Sequence, residues 1–365
     1  MLLLNDFIAQ WLDIKDDVLA AVDRVGRSGW LILGDEVRNF EAALTEFWGL
    51  PFAVGVANGL DAIEISLRTL RIRAGDKVLT TPLSAFATSL AIVRAGGVPV
   101  FVDTDHRGLI DLELADQLLS QDPSIKFMVP VHLYGHSLDL IELKRLKDKF
   151  DLSIVEDCAQ SIGARSHGAV VGSVGQMAAT SFYPTKNLGC FGDGGAILTS
   201  SEIFANESRA LRDYGQSKKY VHDVLGLNSR LDELQAAIMM SALLPRLEKA
   251  TFRRKEIARR FTEEINNPRL RPICAPVHSD SVWHLFPIVV DGERSKFQEH
   301  LKVRGISSAV HYPILIPEQK AMEQFSISRS FPVAEKISLN EVSIPIHPYL
   351  SESDLDTIID SCNRW

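Results

Sequence analysis

Between Phe52 and Asp157 the chain alternates short apolar runs with segments of helical period, and this alternation narrows the possible folds more than any other feature. Phe52–Val56, Lys77–Thr80, Val98–Val102, Phe127–Val131 and a run ending at Asp157 read as strands. Ala57 to Ala62 turns the first of them into a helix with Ile63, Leu67 and Leu70 on one face, and Phe86–Arg94 and Leu140–Phe150 are further helices. Strand–helix–strand order of this kind specifies a parallel sheet with helical crossovers. The expected fold class is therefore α/β, a large domain with a mostly parallel sheet flanked by helices. A smaller α+β domain is expected at the C-terminus. Sheets of this type take their ligands at the carboxyl ends of the strands. No Gly-x-Gly-x-x-Gly follows the first strand, which argues against a nicotinamide-binding unit.

Chemistry collects at those strand ends between Leu152 and Ile197. One apolar run ends at Asp157, and Ser181 and Lys186 lie just beyond a second. Singly, each has a plain structural role: a loop lysine is usually a solvated charge, and an aspartate after a strand usually caps or turns. Together, a carboxylate and a lysine at one sheet edge suit a pyridine cofactor bearing a carbonyl. Pyridoxal phosphate needs a lysine to form a Schiff base and an acid opposite its ring nitrogen. The series Glu-Asp-Cys-Ala-Gln (156–160), Ser-Phe-Tyr-Pro-Thr-Lys-Asn-Leu-Gly (181–189) and Gly-Asp-Gly-Gly (192–195) resembles the sugar aminotransferases of the DegT/DnrJ/EryC1/StrS family, in the aspartate aminotransferase superfamily. The resemblance extends over nearly the whole chain.

That resemblance implies roles for particular residues. Lys186 would carry the cofactor and shuttle the substrate proton, and Asp157 would keep the ring nitrogen protonated. Gln160 would bond the phenolic oxygen or pack on the ring, and Ser181 would give its hydroxyl to the phosphate. Gly59 and Leu60 open a helix whose free amides suit an anion. The family commonly has Thr at the second position, so with Leu60 here only the amide contribution carries over. Phe86 matches an aromatic stacked over the ring, with a plain core phenylalanine as the alternative. Asn228 would reach across a dimer interface to the partner's cofactor phosphate, or simply cap the helix that follows. Trp30, in Ser-Gly-Trp-x-x-Leu-Gly, lies in a loop near the site, or is a buried tryptophan in a glycine turn. His311 and Tyr312 fall where the family borders its sugar. His132, at another strand end, either looks into the site or is a hydrogen-bonded structural group.

The implied reaction moves an amino group from L-glutamate to a nucleotide-linked keto sugar, the cofactor passing through pyridoxamine 5'-phosphate. The motifs most resemble enzymes acting on dTDP-3-keto-6-deoxyhexoses, with a 4-keto-6-deoxyhexose 4-aminotransferase as the alternative. Glu318 stands before Gln319 where close 3-aminotransferases carry His. A dehydratase of this fold would replace Lys186 with His, and a non-catalytic regulator would not need the intact set. The expected partner is a second copy in a homodimer with shared active sites.

At 365 residues with 46% apolar and 24% charged residues, the chain suits two globular domains. The expected division is an N-terminal helical segment (1–25), a cofactor-binding domain (26–245) and a C-terminal domain (246–365), with Pro245 at the border. A net charge of -8 gives no basic face for nucleic acid. Cys158, Cys190, Cys274 and Cys362 are scattered without Cys-x-x-Cys spacing, which argues against a metal site and suits a cytoplasmic location. No run reaches the length of a membrane span. In the C-terminal part, helices over about Arg246–Ile265, Glu293–Arg304 and Ser353–Ser361 and strands Trp283–Val290 and Ile306–His311 are expected. Gly215–Gly226 reads as a polar loop.

Overall fold

The computed structural model describes residues 1–325 and 330–365. Its central sheet has seven strands: β1 (Phe52–Val56), β2 (Lys77–Thr80), β3 (Val98–Phe101), β4 (Phe127–Met128), β5 (Ser153–Asp157), β6 (Met177–Ser181) and β7 (Gly195–Thr199). They lie in the order β1-β7-β6-β5-β4-β2-β3, with β7 running against both of its neighbours and the others parallel. The carboxyl ends of β1 and β6 therefore flank the start of β7, where Gly195 pairs with both Val56 and Ser181.

Helices cover both faces because the inner strands are apolar on both. Ala53, Ala178, Ala196 and Leu198 pack beneath α1 (Phe7–Ser28) and α2 (Asp35–Trp48). Val54, Val155, Ala179 and Ile197 pack beneath α3 (Gly59–Thr69) and α4 (Phe86–Arg94). A helix outside the expected order, α5 (Leu112–Gln121), follows β3; its N-cap Asp111 accepts from the amides of Glu113 and Leu114. Then come α6 (Leu140–Phe150), α7 (Glu202–Arg212) and α8 (Glu233–Ile238). A π turn and a 3-10 turn containing Pro245 join α8 to α9 (Leu247–Glu264).

The C-terminal part builds a second, antiparallel sheet from β8 (Leu270–Pro272), β9 (Phe286–Val290) and β10 (Glu341–Ile344). Phe286, Ile288, Val342 and Ile344 face a core shared with α9, α10 (Arg294–Val303) and α12 (Glu352–Asn363). On the other side, α11 (Pro332–Asn340) and Val289 join the core that holds Leu79, Met128 and Tyr134.

Several expectations are corrected. Ile306–His311 is not a strand: it makes isolated bridges, Ile306 to Leu2 and Ala309 to Ser343, after which the His311 amide turns to the Glu341 carboxylate at 2.6 Å. Phe127–Val131 shortens to two residues before Pro130, which has no amide to donate. The strand expected from Trp283 begins at Phe286, since Trp283 has φ +48°. Gly215–Gly226 is not a plain loop but holds a short hairpin, Gln216–Lys218 against Val221–His222. A Cβ on Gly226 would lie 2.1 Å from the Gly215 nitrogen, so the hairpin base closes only with glycine there.

Candidate functional site

Parallel register brings Asp157, Ser181 and the start of α3 to one edge. Asn58 caps α3, its side chain accepting from the Asp61 amide at 2.8 Å, and Gly59 follows at the first helical position. A Cβ on Gly59 would meet the Ser181 Cβ at 2.6 Å and its Oγ at 3.2 Å. Glycine thus keeps open a seat where helix-opening amides stand beside a serine hydroxyl, a fit for a phosphate group. The next strand along supplies Asp157, which is 5% exposed; its Oδ2 accepts from Thr88 Oγ1 at 2.8 Å and its Oδ1 from the Ala159 amide at 3.1 Å. Thr88 lies in the first turn of α4, two residues after the half-buried Phe86.

Asp157 and Lys186 perturb one another in opposition to burial. Burial raises the Asp157 pKa, offset in part by the Ala159 amide, the Thr88 hydroxyl and the Lys186 charge. Burial also lowers the Lys186 amine to about 8, against the pull of Asp157. The lysine side chain is partly open by area, yet its amine lies deep enough to lose much of its hydration. Each group feels the other's charge, and burial holds each away from its ordinary ionisation.

The opposite wall comes from the C-terminal part. Tyr312 accepts a hydrogen bond from Gln160 Nε2 at 3.0 Å, and Gln160 Oε1 accepts from the Tyr134 amide at 2.7 Å. Both ends of the Gln160 amide are thereby engaged, which leaves its face, rather than its amide, for a ring. Tyr134 donates from its hydroxyl to the His311 carbonyl at 2.6 Å. His311 Nδ1 lies 2.9 Å from Ser343 Oγ, itself 2.5 Å from Glu341 Oε1. Burial and the Lys186 charge bring the His311 pKa down to about 4. His284, bonded through Nδ1 to Asn187 Oδ1 at 3.2 Å, is likewise lowered by burial and by Lys186.

Residues 12–363 match the DegT/DnrJ/EryC1/StrS aminotransferase family. The chain belongs to that family. It is 40% identical to a dTDP-3-amino-3,6-dideoxy-alpha-D-galactopyranose transaminase of Aneurinibacillus thermoaerophilus, covering 96% of each chain. It is 38% identical to a dTDP-3-amino-3,4,6-trideoxy-alpha-D-glucose transaminase of Streptomyces venezuelae, covering 99% of this chain and 95% of the relative. Among solved structures, S. venezuelae DesV in complex with a ketimine intermediate superposes with a TM-score of 0.95 at 36% identity, covering 100% and 98% of the two chains.

Three other candidates make local contacts of their own. His132 is fully buried; it bonds Glu156 through Nε2 at 2.9 Å, and its Nδ1 accepts from the Leu138 amide at 3.1 Å. That is the structural alternative, not a group facing the pocket. Trp30 is not buried: it is 62% exposed, with its indole N–H on the Ile32 carbonyl at 2.7 Å. Asn228 is exposed and does not cap α8, where Asp232 accepts from the Gln235 amide. Thr88, Tyr134, Asn187, His284 and Glu341 were not expected in the site. Ser84 and Thr88, four apart across the start of α4, lie 3.0 Å from each other.

Proposed function

We propose that this protein is a pyridoxal phosphate-dependent aminotransferase. It moves the amino group of L-glutamate to C3 of a dTDP-linked 3-keto-6-deoxyhexose, giving a 3-amino-3,6-dideoxyhexose. The observation that carries the reading is that the buried Asp157 and the Lys186 amine, close enough for each to shift the other's ionisation, accompany the Gly59–Ser181 seat at one sheet edge. When bound, the cofactor supplies an aldehyde for an amine and a ring that withdraws electrons from a carbon losing its proton.

The residues divide the remaining work. The Gly59 and Leu60 amides and the Ser181 hydroxyl would hold the phosphate end, and Phe86 and the face of Gln160 would confine the ring. Asp157, a buried carboxylate short of positive charge, holds a proton on the ring nitrogen. Lys186, with a pKa near 8, has a substantial neutral fraction at physiological pH, so its Nζ would be available to hold the cofactor's aldehyde end and to carry the substrate proton. His311, neutral at that pH, and Tyr312 border the sugar. The wall they form excludes water around a developing charge.

The homodimer belongs to the same proposal. Helix α1 buries Ile14, Val18, Ala21 and Val25 but leaves Ile8, Leu12 and Leu19 at 72%, 64% and 56% exposure. Trp30 and Leu31 are each 62% exposed as well, and apolar side chains left open in this number suit contact with a second copy. The exposed Asn228 is free to extend toward that copy's phosphate. Among the described residues no helix is long and apolar enough to cross a membrane, and the four free cysteines suit the cytoplasm proposed for the enzyme.

The test is a panel of dTDP- and UDP-linked 3-keto and 4-keto sugars with labelled glutamate, and identification of the aminated carbon. Label at C3 of a dTDP sugar is the expected result. Label at C4 alone would transfer the assignment to the 4-aminotransferase reading, and no label in any sugar would end both.

A further inference from the structure

Beside Lys186 lies a cleft that the reading above does not use. It runs between the start of α1, the N-terminal half of α9 and the segment after β10, and Pro184, Lys186 and Asn187 border it. Two basic side chains in its lining, Arg254 and His347, are each 5% exposed. Arg254 donates to the carbonyls of Ile346 and, at 3.3 Å, Trp283, and among the described residues no carboxylate forms a salt bridge with it. His347 Nδ1 is buried without a hydrogen-bond partner.

A buried guanidinium facing only carbonyl dipoles is an unneutralised charge, and such charges are normally paired. The carboxylates nearby are already committed. Asp6 caps α1 through the Ala9 amide at 2.9 Å; Asp13 and Asp17 face Arg246 at 3.7 and 2.8 Å; Asp354 closes the capping box of α12. Tyr349, also in the lining, donates to Asp13 at 3.2 Å. Burial is the one influence on Arg254, and it brings the pKa down to about 10, so the group stays charged at neutral pH. Burial and the Arg254 charge lower His347 to about 4, against Asp6, Asp354 and a hydrogen bond to the Leu3 backbone, which leaves Nδ1 as its uncommitted ring nitrogen.

We propose that Arg254 and His347 form a binding site for an oxyanion, a carboxylate or phosphate group, carried by a substrate whose other end reaches Lys186. The link to a substrate rests on the aminotransferase reading; the affinity for an oxyanion does not. Two substrates of that reaction carry such a group, the dicarboxylic amino donor and the nucleoside diphosphate of the acceptor.

Calorimetric titration of the cofactor-loaded, full-length protein separates the sources, with glutarate as the dicarboxylate probe and dTDP as the diphosphate probe. Arg254→Lys and His347→Phe are the variants. One probe is expected to bind about ten- to a hundredfold more weakly in both variants and in high salt, while the visible absorbance of the bound cofactor is unchanged. The probe affected identifies the source. Equal binding of both probes to wild type and variants, or binding of neither to wild type, overturns the site. Should Arg254→Lys fail to fold, His347→Phe alone decides, since its ring volume is kept. Glutamate-driven bleaching of the cofactor is read on the same samples. Its absence alongside intact, variant-sensitive probe binding would sink the aminotransferase reading and leave the oxyanion site standing.

Discussion

Two carboxylates stand next to each other on β5, and the sheet sends them into opposite environments. Glu156, fully buried, accepts from His132 Nε2 at 2.9 Å and from the amides of Gly172, Val174 and Gly175 at 2.8, 2.8 and 2.6 Å. Burial raises its pKa, but the His132 bond and charge and the glycine amides outweigh that, and the net shift is downward. Asp157, one residue on, receives Thr88 and the Ala159 amide, and burial wins. The protein thus completes one carboxylate and leaves the other short of positive charge. A carboxylate left short in a pocket with a lysine is one prepared for a cationic ligand. Residues that satisfy each other hold a fold, and residues that do not mark where something else binds.

Substitutions should separate the two regions, the largest effect coming on the functional side. Lys186→Ala should lower transamination by about 10³-fold or more, as loss of a proton-transferring group does. It should also abolish the visible absorbance on adding pyridoxal phosphate. An unchanged spectrum would remove Lys186 from its role. Asp157→Ala should lower turnover by about 10²- to 10³-fold, as removal of other preorganised groups does, with little change in melting temperature. Glu156→Gln should do the reverse. It places an amide N–H against backbone donors and should cost about 3–5 kcal/mol of stability in denaturant unfolding, as breaking a buried pair does. If Glu156→Gln proved stable and inactive, the contrast between the two positions would collapse.

Thr88→Val sharpens the comparison by moving Asp157 further from completion. Losing a hydrogen bond to a charged group costs about 1.5–3 kcal/mol, so a turnover loss of about tenfold or more is expected. Thr88 donates to the ionised carboxylate, so its removal raises the Asp157 pKa further. The acid limb of the rate profile should shift to higher pH. A profile that stays in place would show that Thr88 only packs.

How much of this was legible in the sequence follows from the same contrast. Asp157, Ser181 and Gly59 lie at strand ends or a helix start, where local pattern fixes both the element and its direction, and Lys186 follows in the turn after Ser181. The sheet class was legible for the same reason. Tyr134 was not, because its place depends on a backbone at φ +61° and on partners 26 and 177 residues away. His284 depends on Gly135, where a Cβ would lie 2.6 Å from the His284 nitrogen. The oxyanion cleft unites residues 5–14, 184–187, 243–254 and 347–349, and no single window of sequence brings these together. In α1 the apolar residues Ile8, Trp11, Leu12, Leu19 and Val22 are exposed, because apolar periodicity marks a helix without saying which surface buries it.

The wall at β10 permits a finer distinction. Glu341 and Ser343 alternate with the core residues Val342 and Ile344, so both polar side chains turn toward His311. Burial raises Glu341 from its ordinary 4.5 to about 8, only partly opposed by Ser343 and the His311 amide. His311 moves the other way, from 6.5 to about 4. Between pH 4.5 and 6.5 the folded protein holds a proton on Glu341 that the unfolded chain has released, while the unfolded chain holds one on His311 that the fold excludes. The two slopes oppose each other there. From 6.5 to 8 Glu341 acts alone: its stabilising contribution, complete below the ordinary glutamate pKa, is lost as pH rises through the folded value. That slope is about 1.4 kcal/mol per pH unit, or about 2 kcal/mol across the window. Glu341→Gln, the neutral isostere, should remove it, so the difference in unfolding free energy between wild type and variant should drift by that amount from pH 6.5 to 8. Ser343 Oγ donates to Glu341 Oε1, which leaves its oxygen to accept from His311 Nδ1. A constant difference across the window would mean that Glu341 is already ionised in the fold at pH 6.5.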